Sequence, residues 1–368
     1  MTFMMAILLL LALWKVEIVP KSFKTDYLSA DSTLGIKGIC ILLVFFSHFV
    51  AYIDLSNPTM ANLPYLKVRG FLGQMIVVPF LFYSGFGIAE SIRKKGQRYV
   101  KQMPYKRILM VLFQFDVAIV LFWVLKSLMG NQYTLKHMLL TFIGWNGIGN
   151  SNWYIFAILF LYAATWISAL VFENGMKPMA ISITWMTVMF ILIMSRYKDP
   201  YWYNTALTYA AGFWYSIYKP QIDTFFQKSN KIYWWGLFMA FASFCLLHKY
   251  WSSDAVYELV SIFFALSVAL LTMKVNVRNR FLKYCGKHLF SLFILQRLPM
   301  IVLKDTAIAG NMYLYFAVSF IITLGISAVF DRVVPPFYNG IIAKLETNKW
   351  LENLRHTAKK QQREFENV

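Results

Sequence analysis

Apolar residues fall in eleven long runs broken by short polar connections. The runs are about 2–19, 35–54, 70–90, 107–127, 151–172, 178–196, 203–220, 231–249, 254–274, 288–304 and 311–331. A helix needs roughly 20 mainly apolar residues to cross about 30 Å of hydrocarbon. Inside lipid the backbone must also satisfy its own hydrogen bonds, which helices do. The pattern predicts an all-α, polytopic membrane bundle of about ten core helices, with a further N-terminal helix from the first run. That run is interrupted by Lys15 and Glu17. It has neither a basic start nor a small-residue cleavage site, so it is not read as a removed signal peptide.

The organisation expected is an N-terminal apolar helix over 1–24, a transmembrane domain over 25–335 and a basic amphipathic tail over 336–368. In the tail, Ile341, Ile342, Leu345, Trp350, Leu351 and Leu354 recur about once per turn among Lys344, Lys349, Arg355, Lys359 and Lys360. That spacing suits a basic helix lying on a membrane surface. The segment 137–152, too short to span and rich in Gly and Asn, is expected to cap the outer face or re-enter the bilayer. No internal repeat is visible, as paired broken helices would be in an inverted-repeat transporter.

Composition agrees: 59% of residues are hydrophobic and only 14% charged. A soluble domain carries about 45–50% and about 25%. The net charge of +19 would suggest a polyanion partner in a soluble protein, but here the basic residues sit at the ends of apolar runs. With alternating connections, 26 Lys/Arg fall on one side and 8 on the other; Lys37 and Arg297, inside runs, complete the 36. The positive-inside rule makes the richer side cytoplasmic. The expectation is therefore a multi-pass plasma-membrane protein with a cytoplasmic C-terminus and no nucleic-acid partner. Cys40, Cys245 and Cys285 are far apart, form no metal or disulfide spacing and read as small core residues. No metal is expected.

Ionisable residues inside spans are costly, about 2.5–3.5 kcal/mol on insertion scales, and need a reason. Those present are Lys37, His48, Glu90, Asp116, Glu258 and Arg297, with Gln74, Gln114 and Gln296 as polar company. Lys37 and His48 are eleven residues apart, about three turns and about 16 Å along one helix face. They cannot hydrogen-bond to each other. Alone, Lys37 reads as a snorkelling lysine and His48 as an interhelical hydrogen bond. Together they suggest two stations on one path. A lysine near the basic side can hold a phosphate-bearing donor. A histidine deeper in can act as general base or carry an acyl group. Asp116 or Glu258 are candidates to orient that imidazole. Structural ion pairing competes for Asp116, and an interfacial position for Glu258.

The stretch from Gly35 to Phe49, with Lys37 and His48, resembles the opening helix of membrane acyltransferase family 3, whose pattern is Arg or Lys, ten residues, then His. Three more pieces match in order. Val78 to Ile88, with Ser84-Gly85-Phe86, is similar to its Phe-rich Ser-Gly helix. Asn152 to Ile155 with Leu161-Tyr162 resembles its Trp-led mid-chain helix, and Gly286 to Pro299, through Ser291 and Gln296, its late helix. The resemblance covers about 25–335. Two departures stand out: Gln296 occupies the place of a late-helix His, and Pro104 falls where the first Arg of an inner Arg-x-x-Arg would be. His288 reads as structural.

The resemblance implies O-acyl transfer, commonly of acetyl, from cytoplasmic acetyl-CoA (acyl-CoA) to a hydroxyl of an extracytoplasmic or lipid-linked saccharide. His48 would be general base or acyl carrier. Lys37, Arg107 and Lys106 would position the donor. The basic run from Arg93 to Arg107 suits an anionic donor, though lipid contact and the topology rule suit it too. Trp145, Trp153, Tyr201, Trp202, Tyr203, Tyr250 and Trp251 could stack sugars or form an interfacial belt. Two rival readings remain at this level. One is a saccharide-carrier transporter or flippase using Lys37, His48, Asp116 and Arg297 as a polar pathway. The other is a membrane sensor without chemistry.

Overall fold

The structure is a computed structural model that describes residues 1–55, 60–173 and 175–366, with side chains as far as 345. Every apolar run forms helix over most of its length. The first forms α1 (Thr2–Leu13), twelve residues and so about 18 Å long, short of a full crossing. It packs on α2 (Leu34–Phe49) and α3 (Leu63–Leu72). After α1, Lys15 at φ 62° turns the chain into strand β1 (Val16–Ile18). This strand pairs antiparallel with β2 (Val275–Val277), Val16 opposite Val277. The buried Lys274 ammonium holds the following segment by donating to the Pro20 and Ser22 carbonyls at 2.9 and 3.0 Å.

The second run is one span, Leu34–Tyr52. α3 and α4 (Val78–Lys95) lie in a single apolar stretch, Met60–Lys95. α5 (Gln97–Met103) and α6 (Met110–Leu128) share the span Gln97–Leu128, joined by a wide turn starting at Pro104. There follow α7 (Leu135–Phe142), α8 (Trp153–Phe172), α9 (Met176–Met194), α10 (Leu207–Gln227), α11 (Asn230–His248) and α12 (Asp254–Thr272). α13 (Arg280–Lys287) meets α14 (Leu289–Leu295) and α15 (Arg297–Leu303) at a 69° bend. α16 (Met312–Glu366) closes the chain.

Among the described residues seven helical stretches are long and apolar enough to cross a membrane, and the bent pair makes an eighth. α10 and α11, at 21 and 19 residues, match the others in length but are rich in Trp and Tyr, which lowers their hydropathy. The protein is thus an all-α multi-pass membrane protein. α16 runs unbroken through Pro335 and Pro336, so the tail begins as a continuation of the last span. The amphipathic pattern expected at Lys349, Trp350, Leu351, Leu354, Arg355, Lys359 and Lys360 lies outside the described side chains.

Two helix pairs hold the centre by backbone contact. A Cβ on Gly38 would overlap the Leu282 carbonyl, and one on Gly286 the Leu34 carbonyl, so α2 and α13 touch directly. Gly85 against Tyr209 and Gly212 against Phe82 do the same for α4 and α10. Small residues serve this purpose in membranes, where burial of apolar surface does not drive helices together. On its other side α2 interleaves Phe45 and Phe49 with Phe316 of α16. At the α13–α14 bend, His288 Nδ1 lies 2.5 Å from Asp331 of α16, and Ser291 donates to the same carboxylate at 2.7 Å. His288 therefore sits in a structural joint.

Candidate active site

α2 is unbroken from Leu34 to Phe49, so Lys37 and His48 keep their eleven-residue step. Each opens into a different cavity. Lys37, with its Nζ 5.3 Å from the Tyr83 ring centre, lines a cavity of about 900 Å³ together with Arg93, Lys94, Arg107, Lys219 and Lys287. Among the described lining residues, only Asp26 and Glu90 oppose these cations. Both acids are engaged: Ser32 donates to Asp26 at 3.0 Å, and Arg93 and Ser216 donate to Glu90 at 2.6 and 2.8 Å. Arg107 is anchored by donating from Nε to the Tyr99 hydroxyl at 3.0 Å. Further in, the Ser84 and Tyr162 hydroxyls bond to each other at 2.8 Å.

His48 lines the second cavity, about 580 Å³, with Arg69, Gln74, Asn150, Ser151 and Arg297 among its walls. Five of these residues carry a buried polar atom without a hydrogen-bond partner: His48 Nδ1, Gln74 Oε1, Asn150 Nδ2, Ser151 Oγ and Arg297 Nε. Buried polar atoms are almost always paired, and leaving one unpaired costs about 1–3 kcal/mol. A concentration of donors and acceptors in the walls of one cavity suits a ligand that supplies many hydroxyl groups. Gln296, almost fully buried, lies beside the imidazole with its Oε1 also unpartnered.

The turn after α7 delivers Asn150 and Ser151. Gly144 at φ 78° and Gly149 at φ 106° reverse the chain there. Asn152 Nδ2 donates to the Gly144 carbonyl at 2.9 Å, and the Asn150 Oδ1 accepts from the Ile148 amide at 2.9 Å. Residues 137–152 thus form the end of a short helix and a tight turn whose last residues, Asn150 to Asn152, line the His48 cavity. A shallower groove of about 640 Å³ adjoins it and shares Asn152 and Tyr201. In that groove Lys198 lies 4.1 and 4.3 Å from the Trp145 and Trp202 ring centres and donates to the Trp145 carbonyl at 2.8 Å. Burial there pulls its ammonium below the ordinary lysine range. Trp153 and Tyr201 pack against each other nearby, 6.3 Å apart. Trp251 instead stacks on His248 at 4.0 Å, Tyr250 is exposed and Tyr203 donates to Asp254 at 2.9 Å.

The two cavities back onto each other. Tyr154 lines the first and Phe293 the second, with their rings 5.3 Å apart. Phe293 in turn faces the His48 ring at 6.1 Å.

Of the residues singled out in the sequence, Lys37 and Arg107 meet in one cavity and His48 occupies the other. Lys106 lines neither; it is exposed and bonds to Gln102 at 2.9 Å. Asp116 lines neither and is half-buried on α6, its Oδ1 without a hydrogen-bond partner. Glu258 lines neither. Its buried carboxylate accepts from the Leu207 amide at 3.1 Å and so caps the first turn of α10, where a negative charge is favoured. Neither acid is among the residues around His48. Among the described residues no three of His, Cys, Asp or Glu gather as metal ligands would.

A family model described as an acyltransferase domain matches residues 34–332 of the chain. That range takes in the whole lining of the His48 cavity and all of the Lys37 cavity except the wall formed by Thr25 to Thr33. No curated protein and no solved structure matches the chain.

Proposed function

The chain belongs to membrane acyltransferase family 3, and on that premise we propose that it moves an acetyl group from acetyl-CoA to a hydroxyl of an extracytoplasmic or lipid-linked saccharide. The observation that carries this reading is the pairing of two cavities along α2. One is lined by cations around Lys37; the other is lined by unpartnered polar atoms around His48. A polyanionic donor fits the first and a polyhydroxylated acceptor the second. On this reading the basic face is cytoplasmic, which the asymmetry of Lys and Arg supports, and the membrane is the plasma membrane.

Lys37 and Arg107 hold the donor phosphates by charge-assisted hydrogen bonds. The donor's part is to supply a thioester at the end of a long, thin arm. Tyr154 and Phe293, whose rings meet between the two cavities, stand where that arm would have to pass. His48 takes the proton of the acceptor hydroxyl as that oxygen attacks the thioester carbonyl. A carbon–oxygen bond forms, the carbon–sulfur bond breaks, and the imidazole returns the proton to the departing thiolate. Transfer through an acyl-imidazole uses the same residue; either route needs a ring nitrogen without a competing partner, as His48 Nδ1 has.

The test is CoA release from acetyl-CoA by the purified protein, with a saccharide extract of the host as acceptor and His48→Ala beside wild type. General acid–base groups contribute about 10²–10⁴-fold, so the variant is expected to lose at least a hundredfold. Equal turnover in both removes His48 from the chemistry. Saccharide movement without CoA release would instead favour a transporter.

A further inference from the structure

We propose that the saccharide taken by the His48 cavity carries a fixed negative charge, a carboxylate or a phosphate, bound by Arg69 and Arg297. This rests on the acyl-transfer reading and specifies its acceptor. Among the described residues, the cavity is lined by two guanidinium groups and by no aspartate or glutamate. The donor cavity differs, since Asp26 and Glu90 offset part of its charge. Arg69 comes from α3 and Arg297 from α15, two elements far apart in the chain. Arg297 lies beside Tyr52, and its Nε is buried without a hydrogen-bond partner.

Arg297 is half-buried and already engages the Tyr52 hydroxyl, and Arg69 is exposed, so what calls for an anion is the pair of like charges facing one cavity. A neutral sugar leaves both charges unbalanced there, whereas a carboxylate or phosphate matches a guanidinium with two parallel hydrogen bonds. The neutral polar groups, Gln74, Asn150 and Ser151, remain for the hydroxyls. Their mixed donor and acceptor character is what a sugar ring requires, and the arginines add what a neutral ring does not need. The anion also fixes the ring relative to His48, and with it the hydroxyl that is acylated.

Calorimetric titration of the full-length protein in zwitterionic nanodiscs, without acyl-CoA, tests this independently of turnover. Three probes are compared: a hexuronate-containing disaccharide, a hexose phosphate and the carboxyl-reduced, neutral form of the disaccharide. At least one charged probe is expected to bind about tenfold or more tightly than the neutral one, and which of the two does so identifies the anion. Arg297→Gln and Arg69→Gln should each bring that preference to within about twofold, while Arg297→Lys, which keeps the charge, retains part of it. Equal binding of neutral and charged probes overturns the proposal. So does equal weakening of every probe by Arg297→Gln, or failure of both charged probes to bind at millimolar concentration. Acylation of the neutral disaccharide as fast as the charged one would leave acyl transfer standing and the anion site refuted. Selective binding of the anion with no acylation under any condition would do the reverse.

Discussion

At the scale of single residues, the work is divided, on the proposed reading, between Lys37 and His48, which one unbroken helix carries about 16 Å apart. Lys37 faces a cavity with five other cations, so the part proposed for it is to hold the donor. Removing a charged hydrogen bond costs about 1.5–3 kcal/mol. Lys37→Gln is therefore expected to raise the KM for acetyl-CoA roughly ten- to hundredfold with kcat nearly unchanged, and Lys37→Arg to restore much of it. Steady-state kinetics at saturating acceptor checks this; a fall in kcat at unchanged KM would place Lys37 in the chemical step. The pair was legible in the sequence because helical spacing is local. The role of Glu258 was not. Its partner is the Leu207 amide, 51 residues away, and nothing in an apolar run announces which helix end an acid will cap. Arg69, Asn150 and Ser151 escaped for the same reason: each lies in a connection or a short helix, and only the fold carries it to His48.

At the scale of elements, the runs translated directly into helices, since lipid leaves the backbone no other way to satisfy itself. How the helices bend and touch was less visible. The 69° bend at His288 falls within a continuous stretch, and the joint that fixes it needs Asp331 from another helix. The α4–α10 contact likewise depends on which glycine faces which carbonyl. Gly85 and Gly87 are two residues apart, yet a Cβ on Gly85 would strike the Tyr209 carbonyl, whereas one on Gly87 meets nothing within 4 Å. Gly87 instead lines the donor cavity. Overpacking costs about 1–3 kcal/mol, so Gly85→Ala is expected to lower the unfolding temperature in detergent by several degrees. Gly87→Ala should leave it unchanged. A thermal melt followed by tryptophan fluorescence separates the two, and equal destabilisation would contradict the close approach of α4 and α10.

At the scale of the whole molecule, a multi-pass acyltransferase that uses a donor on one face and an acceptor on the other must join two chemistries across the bilayer. On the proposed reading this falls to two back-to-back cavities, one lined by cations and the other by unpartnered polar groups, which meet at Tyr154 and Phe293. The asymmetry of basic residues was readable from the chain, whereas the cavities, assembled from many separate segments, were not. The most direct measurement places the purified protein in sealed liposomes of known orientation, with acetyl-CoA in one compartment and the saccharide acceptor in the other. Acyl transfer is predicted when acetyl-CoA meets the basic face and the saccharide the opposite one, with free CoA staying on the donor side and His48→Ala inactive. Transfer only when both substrates share a compartment would contradict the account.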